Sequence, residues 1–250
     1  MAILWSKQNG NNRYKVTSAG NSIRLYRNSV LHSQWNSTSP VSGHLWDLFI
    51  LSSLDRSVFR VLVLGAGGGA VINLAHHFFK HSHVDAIEMD PHHIYAAKRF
   101  FKVNQKRCTF YQDDVEHWIK NNKSKTYDLI IDDVFFEGKG NPYRSINAHA
   151  KWIRRLLGRL NHEGVLVINF ADSLEWRQSK LQLQPHRFFK SFNYASASHV
   201  NCQNRVIHMS KKDISLLALK RTLKQRIFYE FEKNIKDGIY LYRALTMKAG

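Results

Sequence analysis

The stretch Arg60-Val-Leu-Val-Leu-Gly-Ala-Gly-Gly-Gly-Ala70, followed by Val84-Asp-Ala-Ile-Glu-Met-Asp90, restricts what this chain can fold into more than any other segment. Four consecutive apolar residues, Val61 to Leu64, suit a strand buried on both faces, as in a parallel sheet. Gly65, Gly67 and Gly69 then allow backbone angles and close approach that a β-carbon blocks. A helix and a second apolar strand follow, so the segment reads as a βαβ unit. Glu88 stands about 20 residues beyond the turn, where an acid at the tip of the second strand accepts hydrogen bonds from both hydroxyls of a ribose. The unit is expected to bind a nucleoside.

Gly65-Ala-Gly67-Gly-Gly-Ala70 matches the loose GxGxx(G/A) pattern, which serves nicotinamide, flavin and S-adenosylmethionine sites alike. Further acids narrow the choice. Tyr111-Gln-Asp113-Asp114 closes a third apolar segment, and Tyr127-Asp-Leu-Ile-Ile-Asp-Asp133 a fourth. The carboxyl-terminal edge of an open doubly wound sheet lines its ligand crevice, so Glu88, Asp113 and Asp133 are expected to converge on one nucleoside. Asp113 and Asp114 equally suit caps for a helix beginning near Val115. A nicotinamide dehydrogenase is the least favoured reading, because Asp132-Asp133 and the N-terminal strands have no evident role in one.

With 250 residues, 44% of them hydrophobic and 12% aromatic, the chain can bury a substantial core without disulfides. Cys108 and Cys202 are far apart and lack CxxC spacing, which argues against a thiolate zinc site and favours a reducing compartment; the cytoplasm is the expected location. No apolar run reaches bilayer length, and Met-Ala-Ile-Leu-Trp-Ser-Lys lacks the basic region and long apolar core of a signal peptide, so a soluble protein with no membrane partner is expected. Thirty-seven Lys and Arg against nineteen Asp and Glu give a net charge of +18. Such a surplus attracts phosphates and nucleic acid and disfavours small polycations. It is spread through Lys98-Arg99, Lys102, Lys151, Arg154-Arg155, Lys211-Lys212, Lys220-Arg221 and Lys224-Gln-Arg226. A solvated basic surface and a nucleic-acid-binding one both fit that spread.

Residues 1 to 43 alternate polar and apolar positions from Arg13 to Trp35, with turn residues at Ala19-Gly20-Asn21 and Asn28, and read as a small antiparallel β-hairpin or meander. Residues 44 to 250 form the second part. Leu45 to Leu54 looks helical. Strands are then expected near 60–64, 84–88, 108–111, 128–132 and 165–170, and helices near 70–80, 91–103, 114–122 and 146–160. That alternation gives an α/β, doubly wound, Rossmann-like sheet. Gly164 is expected to take a left-handed cap before the last of these strands. Phe192–Ala197 and Arg205–Met209 suit an antiparallel pair, and 213–236 one long basic helix with Ile214, Leu217, Leu219, Leu223, Ile227 and Phe231 as its stripe.

Taken together, these segments resemble the spermidine synthase-like branch of the class I S-adenosylmethionine-dependent methyltransferase superfamily. Ile23-Arg-Leu-Tyr and Val30-Leu-His-Ser-Gln34 look like that family's hairpin with its glutamine. Counting back from the glycine turn places His44 where the family usually has a tyrosine. The resemblance implies S-adenosylmethionine, or its decarboxylated form, as cofactor. Gly65, Gly67 and Gly69 would cradle its methionine part, Glu88 its ribose, and Asp113, with Asp114 beside it, the adenine end; Gln34 and Asp133 complete the set. Family members are often dimeric through their N-terminal strands, so a homodimer is compatible.

Two departures bear on the reaction. Aminopropyltransferases typically carry an Asp within the glycine turn and an Asp-x-x-Asp-Pro loop after the fourth strand, because their substrates are cations that need carboxylate partners. Here the turn has Gly68, and the loop reads Asp133-Val-Phe-Phe136-Glu137. A phenyl ring cannot accept a proton or form an ion pair. Leu45 and Trp46 also replace the family's polar pair. Methyl transfer to a small or macromolecular acceptor is therefore the leading expectation, with Asp133, Glu137 and His44 as candidate bases and Phe135, Phe136 and Tyr143 as candidate acceptor walls. Aminopropyl transfer is the alternative within the fold, and a non-catalytic nucleic-acid-binding protein the alternative outside enzymology. His77 and His81 have the spacing of a metal pair, with His76 and His83 nearby, yet no carboxylate or cysteine stands beside them and no metal is expected.

Overall fold

Val61, Val63, Leu129, Ile131, Val165 and Val167 point to one side of a twisted sheet, and Leu62, Leu64, Ile130, Leu166 and Ile168 to the other. Successive strand residues face opposite ways, so two separate cores form on the two faces. The structure, a computed structural model, describes residues 1–137, 142–184 and 191–245. Its strands are β1 (Ala2–Asn9), β2 (Asn12–Ala19), β3 (Ser22–Arg27), β4 (Val30–Asn36), β5 (Arg60–Leu64), β6 (His83–Ile87), β7 (Cys108–Tyr111), β8 (Tyr127–Asp132), β9 (Phe135–Glu137), β10 (Pro142–Arg144), β11 (Leu160–Phe170), β12 (Asn193–His199), β13 (Arg205–Ser210) and β14 (Tyr240–Ala244). Its helices are α1 (Ala70–Phe78), α2 (Pro91–Arg99), α3 (Val115–Asn121), α4 (Ala150–Leu157), α5 (Ser173–Gln178), α6 (Lys180–Leu183), α7 (Leu216–Leu223) and α8 (Tyr229–Lys236).

The main sheet runs β14-β12-β13-β11-β8-β5-β6-β7. From β11 to β7 it is parallel, with Val61 beside both Val84 and Leu129; β13, β12 and β14 continue it antiparallel. The chain leaves β5 toward β6 and β7, then returns to the other side of β5 for β8. That reversal opens a crevice at the strands' carboxyl ends, where open α/β sheets bind ligands.

Several details differ from the sequence reading. The N-terminal sheet has four strands, because Gly10, at φ +55°, turns β1 back onto β2. Leu45–Ser53 is a 3-10 helix. Helix α4 is shorter than 146–160, since β11 starts at Leu160, where it pairs with Tyr127. Gly164 lies inside β11 and is absent from the left-handed glycines. The long helix at 213–236 breaks where Gln225 takes an extended backbone (φ −73°, ψ 133°) before a 3-10 turn at Arg226–Phe228. The break lets Phe228 and Phe231 both pack on Phe78 of α1, at 5.9 and 5.2 Å between ring centres, and it leaves Leu217 and Ile227 exposed. Strand β14, unanticipated, covers the edge of β12.

Candidate functional site

The tips of β5, β6, β7, β8 and β11, with the β3–β4 turn above them, enclose a cavity of about 450 Å³, a volume typical of small-molecule sites. Gly65 donates its amide to the Ile87 carbonyl at 3.0 Å and adopts φ +81°. A β-carbon there would collide with the Asp133 carbonyl, so the glycine turn lies flush against the segment leaving β8.

Glu88, at the tip of β6, is buried and already fixed. It accepts the amides of Gly67 at 2.8 Å and Asp90 at 2.9 Å, and lies 3.6 Å from His93 Nδ1. Burial pushes its carboxyl up, but His93 and the two amides outweigh that and hold it below the ordinary range. His93 moves the opposite way: burial lowers it, and Glu88 and Asp90 raise it above the usual imidazole value. Both shifts favour the carboxylate–imidazolium form of the pair.

The N-terminal sheet helps to build this wall. Ser33 Oγ accepts the Gly68 amide at 2.7 Å, and Tyr14 donates its hydroxyl to Asp90 at 2.6 Å. Arg27 approaches Asp90 at 3.7 Å. Arg27, His32 and Asp90 all line the cavity.

Two adjacent acids at the end of β8 part company. Asp132 points into the closed core, where it meets Arg144 Nη2 at 2.7 Å and the Trp152 indole at 2.8 Å. Asp133 turns to the cavity and accepts the Asn169 amide at 2.8 Å. Burial pushes Asp133 up to about 7; the Asn169 bond and the charge of Arg144 restrain the rise. Asn169 in turn accepts from Asn204 at 3.2 Å, and its carbonyl accepts from Arg144 at 2.6 Å.

Of the residues singled out from sequence, Gly65, Gly67, Glu88, Asp113, Asp114 and Asp133 line this cavity together. Asp113 accepts His117 Nδ1 at 2.8 Å, and Asp114 caps α3 through the His117 amide, so both acids also have structural partners. Three residues lie elsewhere. Gln34 turns to Arg24 at 2.7 Å within the N-terminal sheet. Gly69 caps α1, where a β-carbon would run into Val103 and Ala97. His44 precedes the 3-10 helix and stacks on His199, its ring centre 6.4 Å away; burial, His199 and Arg24 hold it below the usual imidazole value. Glu137 ends β9, and its side chain falls outside the described residues. The antiparallel β9–β10 ribbon pairs Phe136 with Tyr143, and of the three aromatic candidates Phe135 and Phe136 reach the cavity wall. Leu45 and Trp46 join them.

Sequence reasoning missed Asn169, Gln203 and Asn204, which line the cavity beside Asp133. Asn169 carried a usable signal, a polar residue at the carboxyl end of an apolar strand; the loop residues Gln203 and Asn204 carried none. Among the described residues no three His, Cys, Asp or Glu side chains are grouped to hold a metal ion. His76 turns to the Arg107 carbonyl at 3.0 Å, and His83 to the Thr109 hydroxyl at 2.9 Å. Among the described residues no helix is long and apolar enough to cross a membrane.

Comparison with known proteins places this site in context. A family model described as a methyltransferase domain matches residues 55–235. A malonyl-[acyl-carrier protein] O-methyltransferase of Brevibacillus brevis is 23% identical over 114 residues, 46% of this chain and 41% of that protein. A polyamine aminopropyltransferase of Prochlorococcus marinus is 33% identical over 89 residues, 33% of this chain and 31% of that protein. The chain thus spans less than half the length of these relatives. Among solved structures, a probable spermidine synthase from Corynebacterium glutamicum superposes with a TM-score of 0.68 at 17% identity, covering 89% of this chain and 88% of that one. Human methyltransferase-like protein 13 in complex with SAH gives 0.57 at 21%, covering 72% and 92%.

Proposed function

The chain belongs to the methyltransferase domain family and has the spermidine synthase-like form of its fold, and from that premise we propose that it transfers a methyl group from S-adenosylmethionine to an acceptor seated beside Asp133. The observation that carries the choice of methyl over aminopropyl is the packing at Gly68. Its amide is bound by Ser33, and a β-carbon there would lie 2.8 Å from Ser33 Cβ and 3.1 Å from the Phe101 ring. A carboxylate to receive an aminopropyl ammonium has no room at that position. Phe136, at the place of the second acid, offers at most a weak contact between cation and ring.

The residues present fit the cofactor. Glu88 is ionised, oriented by two amides, and keeps lone pairs for a ribose diol. Asp113 and Asp114 line the same cavity and suit the adenine end, and Gly65 and Gly67 line it where the methionine end would lie. When bound, the cofactor supplies a sulfonium methyl that is already electrophilic. The protein's part is to place the nucleophile in line and to remove its proton. Asp133, near neutrality in its proton affinity and steadied by Asn169, suits that second task. Leu45, Trp46, Phe135 and Phe136 give the acceptor an apolar wall, and Asn169, Gln203 and Asn204 a polar edge.

Calorimetry with S-adenosylmethionine, S-adenosylhomocysteine and decarboxylated S-adenosylmethionine tests the reading. Binding of the first two supports it, and no heat from either sinks it. Preference for the decarboxylated form, with turnover of putrescine, would instead select aminopropyl transfer, the reading favoured by the retained Asp133 and by the short match to aminopropyltransferases.

A further inference from the structure

The corner between α7 and α8 carries an unneutralised cluster of cations. Lys220, Arg221, Lys224 and Arg226 are all exposed, and among the described residues none of them makes an ion pair or side-chain hydrogen bond. Lys220 and Lys224 are one helical turn apart and share a face. The 3-10 turn then carries Arg226 and Ile227 outward, and Tyr229, 56% exposed, follows at the start of α8. Phe228 and Phe231 fasten this corner to Phe78, at the end of α1 that also carries His77 and precedes Lys80. The acids nearby are Glu230, also exposed, and Glu232, which is engaged by Lys236 at 2.9 Å. The corner lies at the opposite end of α1 from the glycine turn, about 14 Å away for nine helical residues.

We infer that this corner is a docking surface for single-stranded nucleic acid, held through its phosphates. Four cations without protein partners break no existing ion pair when they meet phosphate, and the whole chain's +18 charge draws a polyanion toward them. Tyr229 offers an exposed ring on which a base stacks. An anionic membrane fits less well, because the apolar stripe of these helices is already spent inward: Leu219, Leu223, Phe228 and Phe231 are buried, and Leu217 and Ile227 remain as separate exposed residues. The inference stands apart from the transfer reaction, since no residue of the corner lines the cavity.

The test is fluorescence anisotropy of the full chain with a labelled single-stranded RNA of about 20 nucleotides, and in parallel a DNA of the same sequence, at several salt concentrations. K220E/R221E/K224E/R226E is expected to weaken binding about 100-fold and to lower the slope of log affinity against log salt by about 3. Tyr229→Ala is expected to weaken it about tenfold. K120E/K123E/K151E/K180E makes the same change in net charge on α4 and α6 and around α3, on the other face of the sheet, and is expected to have less than about a fivefold effect. Calorimetry with S-adenosylhomocysteine and thermal melts of each variant report whether fold and cavity are intact. Equal losses from both charge-reversal variants would overturn the inference, as would unchanged RNA and DNA affinity in the first. Binding to phosphatidylserine vesicles that the first variant abolishes, with no binding to either nucleic acid, would overturn it in favour of a membrane.

Discussion

Ser33 holds the Gly68 amide at 2.7 Å, so a strand of the N-terminal sheet fixes the glycine turn of the central one. Tyr14 repeats the pattern at Asp90, at the tip of the next strand. The N-terminal sheet is thus part of the cavity wall. The same close approach leaves a β-carbon built at position 68 only 2.8 Å from Ser33 Cβ.

Gly68→Asp should therefore destabilise the fold by about 2–4 kcal/mol, because the new side chain meets Ser33 Cβ and the Phe101 ring. Ser33→Gly should itself cost about 1 kcal/mol, through a lost hydrogen bond and a looser strand. The double variant S33G/G68D should fall short of the sum by at least about 1 kcal/mol, since it removes the collision with Ser33 Cβ and leaves only the one with Phe101. Urea unfolding of the four proteins measures the cycle; strict additivity would contradict the packing argument.

How much of this was legible in the sequence follows from how local each signal is. The Val61–Leu64 run, the glycine turn and Glu88 form one short unit whose period and spacing are read directly, and the structure places them as that unit requires. Asp132 and Asp133 look equivalent in sequence, and strand alternation separates them only once β8 is known to be buried on both faces. Strand β1 escaped because it is almost wholly exposed, which leaves no apolar alternation to read, although Asn9-Gly10 is a hairpin signal. The break at Gln225 was hidden for another reason: no glycine or proline marks it, and it exists because Phe228 and Phe231 both pack against Phe78.

Asn169→Leu should shift the acid limb of the transfer reaction's pH profile. Asp133 is ionised only above about 7, so activity that needs it as a base should rise as pH increases through 7. Removing the Asn169 donor takes away the first force opposing the effect of burial, and the limb should move up by about one unit. Asp133→Asn should abolish the limb together with most of the activity. A profile of kcat/KM that Asn169→Leu leaves in place would show that the bond has no influence on the reacting proton.

Arg144→Met should be among the most damaging single changes, costing about 3–5 kcal/mol, because it leaves Asp132 as a buried carboxylate without its cation. Arg144→Met combined with Asp132→Leu should recover a large part of that loss, since no charge is then stranded, although the Trp152 indole loses its acceptor. Chemical denaturation gives both numbers. If the double variant were as unstable as the single one, Arg144 would act chiefly through its bonds to the Asn169 and Ile146 carbonyls.

Asp47 ties the segment before the 3-10 helix to β14: it is buried, accepts the Tyr240 hydroxyl at 2.5 Å, and receives the Gly43 and His44 amides. Burial dominates and pushes it up to about 6, with the Tyr240 bond and the two amides pulling the other way. Its folded pKa therefore lies above the unfolded value of 3.8, so between about 4 and 6 the folded state holds more proton than the unfolded one, and stability falls as pH rises through that window. Asp133 adds a slope of the same sign that extends to about 7, so the comparison is best made in the Asp133→Asn background. There Asp47→Asn should flatten the curve between pH 4 and 6 and gain about 2 kcal/mol relative to Asp47 on going from pH 4 to pH 7. Tyr240→Phe should steepen the fall, because the carboxylate loses a donor that favours its charged form. Urea unfolding across that pH range decides, and parallel curves with and without the Asp47→Asn change would mean that the carboxyl is ionised throughout and that its burial carries no proton linkage.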